Sequence, residues 1–289
     1  MPITRRQFLK RSIATGVAGL AASYPFFIER YLVMENHYKI PVPHLPLEFS
    51  GFRIAHLTDL HYGFLNPICF IRHVINRTNA LKPDITVCTG DYVHEFNSTL
   101  QIDTVWPELS RLQAGHGVYS VLGNHDHWAD TKRSDFWLKK TKQDLRHKTV
   151  RIERNSKSLW LAGAGDLLED HRNIDDILEN IPDDHCRIVL AHTPDSADTP
   201  HSKRIDLMLS GHTHGGQVAI PFVGTPILPV KNKNYSSGLK RSLRGENVFI
   251  SRGIGWAIYP VRFNCPPEIA VLELVPDLIC NARGVDKFV

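Results

Sequence analysis

The chain has 289 residues, 42% hydrophobic and 22% charged, which suits one large α/β domain plus a short extension. A formal net charge of +4 leaves no global footprint for nucleic acid, and no nucleic-acid partner is expected. Cys69, Cys88, Cys186, Cys265 and Cys280 are odd in number, widely spaced and without a CxxC pair, which excludes a disulfide framework and gives no reason to assign them a metal.

At the N-terminus, Thr4-Arg5-Arg6-Gln7-Phe8-Leu9-Lys10 resembles the twin-arginine export motif, and an uncharged stretch from Ser12 to Ile28 follows it. A basic segment before a short apolar one reads as a signal or membrane anchor over residues 1–30; an amphipathic helix of the fold is the alternative. Arg5, Arg6, Lys10 and Arg11 are followed over the next thirty residues only by Arg30 and Lys39, a bias that predicts the N-terminus inside and the remainder outside. Export machinery is thus an expected partner, with the outer face of the cytoplasmic membrane as the expected location and its cytoplasmic face as the alternative. Residues 31–50, with Ile40-Pro41-Val42-Pro43-His44-Leu45-Pro46 at their centre, read as a proline-rich linker. A folded domain is expected over 51–276 and a tail over 277–289.

Within the domain, five predicted strands run out into metal-ligand residue types. Ile54 to Thr58 leads to Asp59 and His61, Ile85 to Thr89 to Gly90-Asp91, and Val118 to Leu122 to Gly123-Asn124-His125-Asp126. Ile188 to Ala191 leads to His192, and Leu207 to Ser210 to Gly211-His212-Thr213-His214. Strand C-termini of α/β sheets are where ligands gather. Carboxylates, imidazoles and one amide, without thiolate, suit Mn, Fe or Zn, and Mn is favoured. Asp59, His61, Asp91, Asn124, His192, His212 and His214 are too many for one tetrahedral ion, whereas two ions sharing Asp91 divide the set sensibly.

The elements between these strands alternate. Helices are predicted at Pro67–Leu81, Trp106–Ala114, Ser134–Arg146 and Asn173–Ile181, and further strands at Ser158–Ala162, Gln217–Ile220, Val248–Ser251 and Glu268–Leu274. The order argues for an α/β fold of two packed sheets flanked by helices. His94, His127 and Arg252 are candidate substrate contacts, the last with a surface ion pair as its plainer reading. His56, inside an apolar strand, reads as a core histidine. Two basic runs, Lys132–Lys157 and Lys231–Arg244, are either solvated faces or surfaces drawing an anionic substrate or lipid headgroups; the first carries Phe136-Trp137-Leu138.

Together, the blocks DLH, GDYV, GNHD, AHTPD and GHTHGGQ, across residues 51–275, resemble the calcineurin-like metallophosphoesterase superfamily. The resemblance implies a four-layer α/β/β/α sandwich and two divalent ions. One would be held by Asp59, His61, Asp91 and His214, the other by Asp91, Asn124, His192 and His212. It implies that His125 binds no metal but protonates a leaving oxygen or stabilises charge, with Asp126 either orienting its ring or capping a turn. The phosphoprotein phosphatases of the superfamily continue GDYV with DRG; here His94-Glu95 follows, which argues against that substrate class. The implied activity is hydrolysis of a phosphodiester or pyrophosphate, on an anionic envelope or lipid-linked substrate at a membrane surface. UDP-2,3-diacylglucosamine pyrophosphatase is the enzymatic alternative, and a non-catalytic metal-binding envelope protein the alternative of another class.

Overall fold

In this computed structural model, residues 4–277 are described. In chain order they form α1 (Arg5–Phe27), β1 (Met34–Val42), β2 (Arg53–Leu57), α2 (Ile68–Ala80), β3 (Ile85–Cys88), α3 (Thr99–Leu109), β4 (Val118–Ser120) and α4 (Asn124–Lys140). Then come β5 (Thr149–Arg154), β6 (Lys157–Gly163), α5 (Ile174–Leu178), β7 (Cys186–Leu190), β8 (Leu207–Ser210), β9 (Gly238–Arg241), β10 (Asn247–Ile250) and β11 (Glu268–Pro276). The expected tail beyond Asp277, Cys280 included, lies outside the described residues.

The strands make two mixed sheets, ordered β1-β11-β2-β3-β4 and β5-β6-β7-β8-β10-β9. Their central strands are apolar almost throughout because both faces are covered. The two-residue period sorts the side chains: Ile54, Val87, Leu161, Ile188, Leu209 and Phe249 meet between the sheets. Leu57 and Cys88 face outward onto Ile71, Val105, Trp106 and Leu138 of α2, α3 and α4. Met208, Val248 and Ile250 face the other way, onto Ile174 and Leu178 of α5. This is the expected four-layer sandwich, with the C-terminal ends of β2, β3, β4, β7 and β8 delivering the blocks DLH, GD, GN, AHTPD and GH to one edge.

Several boundaries differ from the sequence reading. Residues 31–50 are not a linker: Met34–Val42 pair in parallel with Glu268–Pro276 along their whole length. β1 is an edge strand, the place in a sheet where Pro41 is tolerated. The third helix starts at Ser98, whose hydroxyl caps Gln101 N–H, and stops near Ser110. The fourth begins ten residues before its expected start, at Asn124, with a break at Asp130 (φ −175°, ψ 105°). Gln217–Ile220 forms only isolated bridges, Val218 to Phe263 and Ile220 to Gly224.

The uncharged N-terminal stretch belongs to α1, opened by a reciprocal cap in which Thr4 Oγ1 accepts Gln7 N–H and Gln7 Oε1 accepts Thr4 N–H. No helix among the described residues is long and apolar enough to cross a membrane. In the first basic run, Arg133 pairs with Asp103, Lys139 with Asp135, Arg146 with Asp135 and Asp170, and Lys148 with Asp144. Lys140 lies over the Trp137 ring at 4.2 Å. These cations are largely engaged within the fold, which favours a solvated face over a lipid-binding one.

Candidate metal centre

All seven sequence-predicted ligands converge at one sheet edge. Asp91 Oδ2 stands 3.5 Å from His61 Nε2 and 3.3 Å from His192 Nε2. On the His61 side, His214 Nε2 is 3.0 Å from His61 Nε2 and 3.2 Å from Asp59 Oδ1. On the His192 side, Asn124 Oδ1 and His212 Nδ1 each lie 3.1 Å from His192 Nε2. Among the described residues, three groups of side chains have donor atoms within 4.8 Å of one another: Asp59-His61-His214, Asp91-His192-His212 and the all-histidine set His61-His94-His125, of which the first two contain a carboxylate and consist of the sequence-predicted ligands alone. Nitrogen and oxygen lone pairs crowd together here with few protons to separate them, the donor arrangement that a divalent cation satisfies. The residues present therefore fit two ions.

The backbone is shaped to achieve this. Asp59 (φ 53°), His61 (φ 45°), Asp91 (φ 56°), His212 (φ 66°) and His214 (φ 52°) all occupy the left-handed region. Non-glycine residues there are uncommon, and their clustering marks a site where surrounding structure over-determines the chain. Gly211 packs so closely on Thr58 and the Asp59 carboxylate, and Gly123 on Asp91 and His192, that a Cβ at either position would overlap the ligands. The His212 N–H donates to both Asp59 oxygens at 3.1 and 3.0 Å, tying the β8 loop to the β2 loop. Two rings are oriented by carbonyls: His192 Nδ1 donates to Thr89 O at 2.7 Å and His212 Nε2 to Pro229 O at 3.1 Å. That leaves the opposite nitrogen of each ring facing the cluster.

Electrostatics agree with the ligand forms. Burial holds His61 and His214 well below the ordinary imidazole range, so they stay neutral. Burial, then the neighbouring His192, pushes His212 down to about 4. Burial raises Asp91, but the charges of His192, His125 and His61 outweigh it and hold the carboxyl well below its usual value. Burial lowers His192, yet the Asp91 charge and hydrogen bond carry it up to about 10. A proton on His192 and a cation beside it are alternative answers to the same negative charge, and ligation releases the proton.

His125 sits at the N-terminus of α4 with its N–H donating to Asp91 Oδ1 at 2.9 Å. Its Nδ1 donates to the His94 carbonyl at 2.9 Å, so a backbone oxygen orients the ring. Asp126 does not. Its buried carboxylate accepts the N–H groups of Asp91 (2.8 Å), Tyr92 (2.9 Å) and Gly123 (2.9 Å), which makes it the cap that joins the GD and GN loops. The orienting role expected for it is thereby corrected in favour of the capping one.

The ligands floor a cleft of about 680 Å³ walled by His94, Phe96, His125, Trp128, Pro229 and Ile258. His94 lies in it as expected, its ring 5.7 Å from that of His125 and 4.4 Å from Trp256. His127 does not line it. Because α4 already starts at Asn124, Trp128 shares a face with His125, three residues before it, while His127 turns aside to Thr131 Oγ1 at 3.2 Å. Arg252 is also a corrected assignment: its side chain is 3.9 Å from buried Glu268, which also accepts the Arg252 N–H. An ion pair claims that arginine, with a buried acid in place of the expected surface one.

Sequence reasoning missed three contributors. Phe96 stacks on Trp128 at 4.9 Å and 8°, Trp256 packs on His94, and Ala257 and Ile258 of the 257–261 segment line the cleft. Buried Arg262 holds that last segment by donating to the carbonyls of Gly255, Cys265, Arg252 and Gly253. None of these loop residues lies in a periodic or motif-like context, so no sequence signal marked them.

A family model described as calcineurin-like phosphoesterase matches residues 52–216. Phosphodiesterase YaeI of Escherichia coli (strain K12) is 32% identical over 279 residues, covering 94% of this chain and 100% of the relative. The uncharacterized metallophosphoesterase YkuE of Bacillus subtilis (strain 168) is 31% identical, covering 94% and 98%. An uncharacterized metallophosphoesterase of Aquifex aeolicus (strain VF5) is 29% identical, covering 89% and 97%.

Proposed function

This chain belongs to the calcineurin-like phosphoesterase family and is a metal-dependent phosphoester hydrolase, and on that premise we propose that it cleaves a phosphodiester or pyrophosphate bond of an envelope or lipid-linked molecule. The observation carrying the dinuclear reading is Asp91 Oδ2, set between His61 and His192 at 3.5 and 3.3 Å. We assign Asp59, His61, Asp91 and His214 to one ion and Asp91, Asn124, His192 and His212 to the other, with Mn favoured. When bound, the ions supply charge stabilisation at the phosphoryl oxygens and a lowered pKa for water.

The chain's own groups do the rest. His125 Nδ1–H is held by the His94 carbonyl, so Nε2 is the nitrogen left to act on the departing oxygen, and it delivers a proton when the ring carries its second one. The α4 N-terminus directs its dipole at the same place, favouring negative charge there. Asp126 positions the Asp91 and Gly123 backbones without touching substrate. The similarity to a named phosphodiesterase supports a diester substrate over a phosphoprotein, as does His94 in place of the expected Asp of the phosphatase motif.

The resemblance of Thr4–Lys10 to the twin-arginine motif supports a location on the outer face of the cytoplasmic membrane, and a reporter fused after Val289 and scored for periplasmic activity tests it. For the chemistry, the full chain loaded with Mn is offered bis-p-nitrophenyl phosphate, p-nitrophenyl phosphate and UDP-2,3-diacylglucosamine. Preference for the diester is expected. Preference for the monoester would refute the diesterase reading, and a strong preference for the lipid nucleotide would replace it with the lipid A pyrophosphatase and move the site to the cytoplasmic face.

A further inference from the structure

The cleft does not end at the ligands. His214, Pro229, Ala257 and Ile258 form a wall common to it and to a second recess of about 240 Å³. This recess runs between the 213–229 and 257–261 segments, and Val218, Pro226, Ile227 and Val261 line it. Its one amide is spent: Gln217 Nε2 donates to the carbonyls of Tyr259 and Val261 at 2.8 and 3.1 Å, and Gln217 Oε1 accepts Ala257 N–H at 2.7 Å. Thr213 likewise gives its hydroxyl proton to Ser236 O at 2.6 Å. The side chains at its mouth are large, apolar and open to solvent, with Ile227 66%, Ile258 70% and Tyr259 68% exposed. Between the lining residues Val218 and Pro226 the chain turns at 220–224, where Phe222 and Val223 are exposed. A single exposed apolar residue is ordinary, but a continuous apolar recess leading off a polar ligand cluster is not.

We infer that this recess binds a hydrocarbon chain of the substrate. The inference rests on the diesterase reading above. Since His214 contributes to both the ligand cluster and the recess wall, a molecule whose phosphoryl group lies at the ligands has its next few atoms directed along that wall. The two loops then flank the chain, with Val218, Pro226 and Ile227 from one and Ile258 and Val261 from the other. The occupant is therefore an amphiphile, an alkyl or acyl chain within a few bonds of the phosphorus, rather than a free nucleotide or sugar phosphate.

The test uses the Mn-loaded full chain and p-nitrophenyl alkyl phosphates bearing methyl, hexyl and dodecyl groups, each below its micelle concentration. Water adds at phosphorus, the bond to p-nitrophenolate breaks, and the alkyl phosphate remains. kcat/KM is expected to rise with chain length, by up to about 4-fold for each methylene buried, and to level off when the recess is full. In Ile227→Glu the slope of log kcat/KM against chain length should flatten, a readout that general damage to the enzyme does not move. Equal kcat/KM for methyl and dodecyl esters in the wild type, or an unchanged slope in Ile227→Glu, overturns the recess while leaving the diesterase reading intact. Failure to cleave even the methyl ester, with p-nitrophenyl phosphate hydrolysed, overturns the diesterase reading and the recess with it.

Discussion

Replacing Asp126 with alanine removes the acceptor of three backbone N–H groups, those of Asp91, Tyr92 and Gly123, at a carboxylate with no solvent exposure. A buried donor left without a partner costs about 1–3 kcal/mol, so the loss is about 3–9 kcal/mol. That is a large part of the ~5–15 kcal/mol a domain has. Asp126→Asn is the gentler test. Its amide oxygen can take the place of Oδ2, serving Asp91 and Gly123, while its NH₂ faces the Tyr92 N–H that Oδ1 now accepts. One donor is orphaned, about 1–3 kcal/mol, partly offset because burial and the Asp91 charge, which raise this carboxyl to about 7, no longer act on an ionisable group. Urea unfolding measures the first quantity, and calorimetric titration with Mn the second. The cap reading expects lower stability and weaker Mn binding together, because the Asp91 and Asn124 backbones loosen. Wild-type stability and Mn affinity with turnover reduced 10²- to 10⁴-fold would refute it and return Asp126 to a direct role on His125.

Asp91→Asn halves the negative charge of the buried carboxylate pair formed with Asp59 and removes the shared ligand, so both metal stoichiometries should fall, as elemental analysis of dialysed protein would show; full occupancy with normal turnover contradicts the bridging assignment. His125→Ala should keep both ions and lose about 10²–10⁴-fold in kcat, whereas loss of metal would make His125 a ligand. His56 bears on pH: burial pushes it down to about 3 while the unfolded chain titrates at 6.5, so the unfolded state takes the proton first and stability is lost as pH falls from 6.5 towards 3. His56→Gln, which retains a partner for Thr89 Oγ1, should flatten that part of the urea-midpoint profile; an unchanged profile rules His56 out as a source.

What the sequence made legible was local. Each ligand stands within a few residues of an apolar strand, so strand end and ligand are read together, and His56 follows from its place inside such a strand. What it hid was relational. β1 looked like a linker because Pro41 and Pro43 are turn residues by composition, and its partner β11 lies more than two hundred positions away. Arg252, just past β10, is claimed by Glu268 at the start of β11 in the other sheet, and Asp126 by three N–H groups from two loops, neither of which has a sequence signature. His127 turns out of the cleft while Trp128 lines it, because the helix start at Asn124 sets the direction of every later side chain. The apolar recess comes from loops without periodicity, where hydrophobic pattern says nothing about contact.

The left-handed backbone at Asp59, His61, Asp91, His212 and His214 narrows the vocabulary of the site before any ion is considered. Among side chains that carry a metal donor, Asn, Asp and His are the ones enriched at positive φ. Five of the seven positions are therefore open to hard oxygen and imidazole nitrogen and poorly disposed to thiolates or to the longer Glu and Gln. Chain geometry in this way acts as a filter on inorganic chemistry: drift in sequence at these positions exchanges one small oxygen or nitrogen donor for another and leaves the class of metal unchanged.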